Sequence, residues 1–504
     1  MSESPDRPVP ESRAQALRPW SREPDAWRWA RRLDRRSVNY LFRARSATVI
    51  PATLKARIDA MGIPADIMEE TLRHIRRLDQ WPNAWIETAQ RFLGDYRRQI
   101  SGGQRADAAQ ARMLAGYCYH IAQLVPGLDE RTQEHCSATS AALVRQALPD
   151  VLPQARRIDI PWRNSTLPAI LIPGPDTPEP SGLVVVLNGT STTKEEHLRW
   201  VGALTGAGLA TLLLDTPGIG EARAHGRPEA DQMDLLDGVF DLLHGYHAID
   251  ARKVGVLGIS LGGNLALRCL AYDRRITAAA MVTPPYEPAR WINRVSPLIH
   301  EEMQQLFRTE DASELRQIAE SFSLADVTPH IQRPTLILGA GRDTVVPPSE
   351  STRLASALGP LSTLAWYANG GHALYGEIPA WTADVAYWFR ATQQRQSTRV
   401  DDVGQLAESW REALYEVPER ETDWDEDLES ARLLRPDEVE PRQRAAERRS
   451  LEPEGEGSAE PEEPEPQLDD EYSRAFSARP QRRRATPRRR PAPLTRHDDL
   501  PGDN

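Results

Sequence analysis

Cysteine is scarce in this chain: Cys118, Cys136 and Cys269 are the only three among 504 residues, and they are widely scattered. That excludes a disulfide framework or a thiolate ligand cluster and favours a reducing compartment. No run of about 18 apolar residues occurs that could cross a bilayer. The opening MSESPDRPVPESR carries acids and prolines where a secretory leader would be apolar. A soluble, cytoplasmic protein is expected. A basic surplus is lacking too. The formal charge is −11, and residues 401–504 alone hold 29 acids against 17 bases, so the remainder sums to +1. A near-neutral body has no electrostatic footprint for nucleic acid or a membrane surface, and neither is expected as a partner.

What is present divides along the chain. The length exceeds what one core usually organises. Residues 1–24 are polar and proline-rich and are expected to be disordered. Residues 25–150 show almost no strand-like alternation. Ile67, Met68, Leu72, Ile75 and Leu78, then Met113, Tyr117 and Ile121, recur at three- and four-residue steps, which predicts a helical domain. Trp81 and Trp85 stand one helical turn apart, the spacing of a core pair more often than of a pocket lining. Residues 151–395 alternate short apolar runs with amphipathic stretches, the α/β pattern. Strands are expected at Leu167–Ile172, Leu183–Asn188, Leu209–Asp215, Lys253–Gly258, Ile276–Thr283, Pro334–Gly339 and Ser362–Tyr367. Runs such as LVVVL and ATLLL are apolar at every position, so the sheet should be mainly parallel with helices on both faces. Residues 396–504 hold an amphipathic stretch at Leu406 to Tyr415, then EPEGEGSAEPEEPEPQ and RPQRRRATPRRRPAP. The acidic and then arginine-rich blocks cannot build a core and read as a mostly disordered tail. The Leu406 to Tyr415 stretch leaves a homodimer contact open.

The strongest local signal is KVGVLGISLGGNLAL, an apolar strand running into Gly258-x-Ser260-x-Gly262 and then a helix. That is a nucleophile elbow in its required context, with glycines where side chains would collide and Ser260 at a helix start that favours developing negative charge. A serine hydroxyl needs a base, and in this arrangement acid and histidine follow the nucleophile in that order. Asp343 follows the strand Pro334–Gly339, and His372 follows the next strand in ANGGH. Ser260, Asp343 and His372 are therefore the expected catalytic residues, with His372 taking the serine proton and Asp343 holding the imidazole. Alone, Asp343 could be a turn acid capping Thr344 and His372 a loop histidine. Their joint order behind the elbow favours catalysis. His225, His244, His247, His300 and His330 follow no late strand and read as surface or satisfied histidines.

An oxyanion hole needs the amide of Leu261 and a second from the loop after an early strand; Thr190 is favoured there, with Gly189 as the alternative. Thr193-Lys-Glu-Glu196 matches a capping box, a structural role for Glu196 rather than a catalytic one. Asp215, in DTPGIGE, is a second-choice acid that lies before the serine. Nothing in the pattern asks for a cofactor or metal.

Taken in order, LNGTSTTKEE, LLLDTPGIGE, GVLGISLGGNLAL, GAGRDTVVP and GGHALYG resemble the 2,6-dihydroxypseudooxynicotine hydrolase group. That group is similar to fungal pigment enzymes that shorten polyketide chains and to fermentation-respiration switch esterases. The resemblance spans roughly residues 25–392. It implies an α/β-hydrolase fold with an N-terminal helical cap over the site, and cleavage of a carbon–carbon bond next to a ketone, or of an ester, in a small molecule. It places the same roles on Ser260, Asp343, His372, Thr190 and Leu261. Two departures stand out: Asn188 occupies the place of a usual second glycine, and the tail has no counterpart. Three functions follow in order of expectation: a hydrolase of ketones or esters, an acyltransferase using the same acyl-enzyme, and a hydrolase-fold binding protein without catalysis.

Overall fold

The structure is a computed structural model and describes Arg32, residues 34–44 and residues 50–396. All of these lie in one compact unit, Met1–Pro418. The expected disordered stretch to residue 24, and the tail with its Leu406 to Tyr415 segment, lie outside the described residues.

The first part is helical: α1 (Arg35–Arg43), α2 (Ala52–Ala60), α3 (Ala65–His74), α4 (Trp81–Ser101), α5 (Arg105–Ala122) and α6 (Glu130–Val151). Side-chain caps start two of these. Asp34 accepts from the Ser37 amide at 2.8 Å and Asp129 from the Thr132 amide at 2.9 Å, each satisfying an otherwise orphan donor. The apolar stripes close on a core of their own, which holds Met61, Met68, Ile75, Trp81, Trp85, Tyr117 and Ile121. Trp81 and Trp85 are core residues, at 1% and 0% exposed, and the Trp81 indole donates to the Ile121 carbonyl at 2.8 Å.

An eight-stranded sheet follows, in the order β1-β2-β4-β3-β5-β6-β7-β8. The strands are β1 (Arg156–Trp162), β2 (Ser165–Ile172), β3 (Ser181–Leu187), β4 (Ala210–Leu214), β5 (Ile249–Ile259), β6 (Ile276–Val282), β7 (Thr335–Ala340) and β8 (Ser362–Tyr367). β1, β2 and β4 pair antiparallel, and every other pairing is parallel. Seven strands match the expected ones; β1 was not anticipated. The all-apolar runs are covered on both faces. In β3, Leu183, Val185 and Leu187 enter one core while Val184 and Val186 enter the other, as strand alternation requires. The first face is covered by α9 (Asp237–Leu243) and α10 (Leu261–Tyr272), the second by α14 (Ile378–Gln396), whose Trp381, Val385 and Phe389 are buried. Between these lie the short α7 (Lys194–His197) and α8 (Gly202–Gly206), then α11 (Pro297–Phe307), α12 (Ala312–Ser321) and α13 (Ser349–Leu358). Among the described residues no helix is long and apolar enough to cross a membrane.

Because β3, β5, β6, β7 and β8 run parallel, the loops after them leave one edge of the sheet, the edge where such folds place ligands. Backbone hydrogen bonds lace these loops together. The Ser260 amide donates to Val282 O at 2.8 Å, Thr283 to Leu338 O at 2.8 Å, Gly341 to Tyr367 O at 2.8 Å and Arg342 to Gly370 O at 2.9 Å.

Candidate active site

Ser260 joins β5 to α10 with φ 52° and ψ −116°, a left-handed backbone that costs a non-glycine residue strain and that clusters at functional sites. The turn is tight enough that a Cβ on Gly258 would strike the Gly262 carbonyl, and one on Gly262 would strike the carbonyls of Leu187 and Asn188. Ser260 is 7% exposed, and its position at the start of α10 leaves the Leu261 amide without an intrahelical acceptor.

Asp343 is buried after β7. One carboxylate oxygen accepts from the Val345 and Val346 amides at 2.8 and 2.9 Å; the other lies 2.8 Å from His372 Nδ1. It is thus a turn acid and a histidine partner at once, and the capped amides are those of Val345 and Val346 rather than Thr344. This pairing leaves Nε2 as the ring nitrogen available for proton transfer. Thr283, itself left-handed at φ 46°, closes round the same ring: its hydroxyl accepts from the Ala373 amide at 3.2 Å and lies 3.5 Å from His372 Nδ1. The loop after β3 approaches from the other side, since a Cβ on Gly189 would sit 3.4 Å from that of Ser260. The Gly189 amide is engaged by the Thr192 hydroxyl at 2.7 Å, whereas the Thr190 amide has no acceptor among the described residues.

Around this site lies a set of buried charges that sequence reasoning did not find. Thr193 does precede α7, but its side chain makes no cap, and Glu196 does not reach back to it. The capping box expected from TKEE is therefore not formed. Glu196 turns to stronger partners instead: the Arg57 guanidinium of α2 grips it through two bonds of 3.0 and 2.7 Å, and His120 of α5 lies 2.8 Å away. Burial alone would raise the Glu196 carboxyl, but Arg57 and His120 outweigh it and hold it down at about 2. Arg57 also bonds Ser191 through its hydroxyl and carbonyl, at 3.0 and 2.8 Å, and lies 5.3 Å over the Tyr375 ring. One guanidinium thus ties the helical segment to the loops bearing Thr190 and His372. His197, buried beside it with neither ring nitrogen hydrogen-bonded, is pushed down to about 4 by that burial and packs on Trp200.

Lys194 is buried as well, with its ammonium 2.6 Å from Glu195, 2.7 Å from Asp215 and 2.7 Å from Glu221. The three carboxylates lie close enough together to suggest a cation site, and the lysine supplies that cation. Asp215 is saturated by the Lys194 and Glu221 amides and the Lys194 ammonium, which makes it a structural acid. Asn188, where the resembling group has glycine, accepts from the Thr216 amide and hydroxyl and donates to Thr192 O and Asp215. It stitches the loop after β3 to the loop after β4. His225, His244 and His300 lie beside Ser165, the Asp241 carbonyl and Gln304.

Comparison with known proteins finds relatives along much of the chain. Residues 222–396, which contain Ser260, Asp343 and His372, match the model of the prolyl oligopeptidase family. A 2,6-dihydropseudooxynicotine hydrolase of Paenarthrobacter nicotinovorans is 29% identical over 266 residues, 53% of this chain and 71% of that protein. The solved 2,6-dihydroxy-pseudo-oxynicotine hydrolase superposes with a TM-score of 0.60 at 25% identity, covering 67% of this chain and 95% of the other. The chain is an α/β-hydrolase. The hydrolyase poxO of Penicillium oxalicum is 30% identical over 243 residues, and the match spans 56% of that fungal protein's length.

Proposed function

We propose that this hydrolase cleaves a carbon–carbon bond next to a ketone by way of a Ser260 acyl-enzyme. The observation that carries the reading is the 2.8 Å pairing of His372 Nδ1 with Asp343, together with a serine on a strained elbow whose amide bonds Val282, the residue before the Thr283 that lies against His372. In the first step Ser260 Oγ bonds to the ketone carbon while its proton passes to His372 Nε2. The carbonyl electrons move to oxygen, where the Thr190 and Leu261 amides donate to the oxyanion; Gly189 is set aside because Thr192 engages its amide. As the tetrahedral adduct collapses, the carbon–carbon bond breaks. Its electron pair leaves as an enolate stabilised by a second carbonyl, and His372 Nε2–H returns the proton to that carbon. Water then attacks the acyl-enzyme, gives its proton to His372 and releases a carboxylic acid as Ser260 regains its hydrogen. A carbon leaving group needs that second carbonyl and a site closed to competing protonation. The helical segment borders the site and is fastened there, since Arg57 bonds the Ser191 carbonyl next to Thr190 and His120 lies against Glu196 of α7. The P. nicotinovorans relative and the superposed structure, both named as pseudooxynicotine hydrolases, support the same choice.

The test is a substrate panel. Pentane-2,4-dione and 1-phenylbutane-1,3-dione are assayed beside phenyl acetate and ethyl benzoate, with fluorophosphonate labelling mapped by peptide mass. Labelling at Ser260 and a kcat/KM for a diketone above those of the esters are expected. Ester preference would overturn the carbon–carbon reading and leave a carboxylesterase.

A further inference from the structure

Beside Thr190 a partly open cleft with a cavity of about 50 Å³ lies between the helical segment, the loops after β3 and β4, and α11. Its lining includes Thr193, Arg223 and Glu302. Two features of this lining lack partners. Arg223 makes no hydrogen bond or ion pair through its guanidinium among the described residues. Glu130 and Glu134 act on it only from a distance, and Arg308 repels it. Thr193 is 5% exposed, and its hydroxyl, freed by the capping bond that does not form, has no hydrogen-bond partner. A partly buried cation and a buried hydroxyl left without acceptors each cost free energy in the empty protein. Glu302, a carboxyl in the same lining, does not relieve them: it is bonded to Ser191, and burial raises it toward its neutral form.

We infer that this cleft holds a carboxylate on the substrate, received by the Arg223 guanidinium and the Thr193 hydroxyl while the ketone reaches Ser260. The inference rests on the hydrolase reading above and narrows its substrate class to keto acids. The chemistry fits the donors. A planar guanidinium presents parallel N–H groups that match the two oxygens of a carboxylate, and a hydroxyl adds one donor more. The cleft also adjoins the elbow in the chain's own order, because Thr190, which borders the cleft, follows the residue that abuts Ser260.

Binding separates this inference from turnover. Full-length Ser260→Ala protein is titrated calorimetrically with 4-(3-oxobutanoyl)benzoate and with the neutral 1-phenylbutane-1,3-dione. The carboxylate is expected to bind about tenfold or more tighter, the usual worth of a charge-assisted bond. Adding Arg223→Gln should bring the ratio close to one, Arg223→Lys should keep part of it, and Thr193→Val should reduce it less. Unfolding midpoints check that each variant is folded. Equal binding of the two probes by Ser260→Ala protein, or an unchanged ratio in the Arg223→Gln variant, overturns the inference. If the parent enzyme turns over neither diketone, the carbon–carbon reading fails on its own, while the binding ratio still decides the carboxylate site.

Discussion

Alanine at Ser260 is expected to lower kcat by about three orders of magnitude or more, with the fold retained. At about 1.36 kcal/mol per tenfold, that is at least about 4 kcal/mol of lost transition-state stabilisation. The size follows from chemistry: without the hydroxyl no acyl-enzyme forms, and the His372–Asp343 pair has no proton to take. His372→Ala should cost a similar factor, and Asp343→Asn the same or somewhat less, because the amide can still accept from Val345 and Val346 but orients the wrong imidazole tautomer. Steady-state kinetics on the best diketone, with circular dichroism to confirm folding, checks all three. More than about a tenth of parent activity in Ser260→Ala would mean that another nucleophile does the work.

The largest effect on stability is expected at Lys194. Its ammonium is the cation shared by Glu195, Asp215 and Glu221, and it is 1% exposed. Methionine fills much the same volume but leaves those carboxylates facing one another. Breaking a buried pair from one side typically costs about 3–5 kcal/mol, far more than removing an exposed one. Lys194→Met should lose that much in urea unfolding at neutral pH. The loss should depend on pH in a defined sense. Burial already raises the Asp215 carboxyl against the pull of Lys194, and removing the lysine raises it further. A carboxyl whose folded value lies above its unfolded one favours the folded state below the unfolded value of about 4, and that advantage is lost as pH rises through the folded value. The deficit of the variant should therefore be smallest near pH 4 and grow toward pH 7. Lys194→Met within about 1 kcal/mol of the parent at pH 7 would show that the carboxylates do not depend on the lysine.

β1 and the TKEE turn show where sequence reasoning stopped. RRIDIPW is half exposed, contains Pro161 and pairs antiparallel only with β2, so it lacks the continuous apolar run that revealed β3 and β4. In TKEE the local pattern suggested a bond between Thr193 and Glu196, but Arg57 stands 139 residues away from Glu196 in sequence and His120 stands 76 away. A charged guanidinium that bonds the carboxylate twice in a buried site outweighs one backbone amide. Nothing in the local pattern around Arg57 or His120 marks either side chain as buried.

What the sequence by itself determined is local: strand runs, the glycines an elbow requires, and the order of serine, acid and histidine after successive strands. The strand runs and the elbow depend on residues within a few positions of one another, where chain geometry alone sets the outcome, and the order is read along the chain from strand to strand. What only the tertiary structure decided is which charges are buried and with whom. Lys194 among three acids, Arg57 on Glu196 and Arg223 left without a carboxylate all depend on segments far apart in the chain, and the strength of each pairing depends on burial that no local pattern encodes.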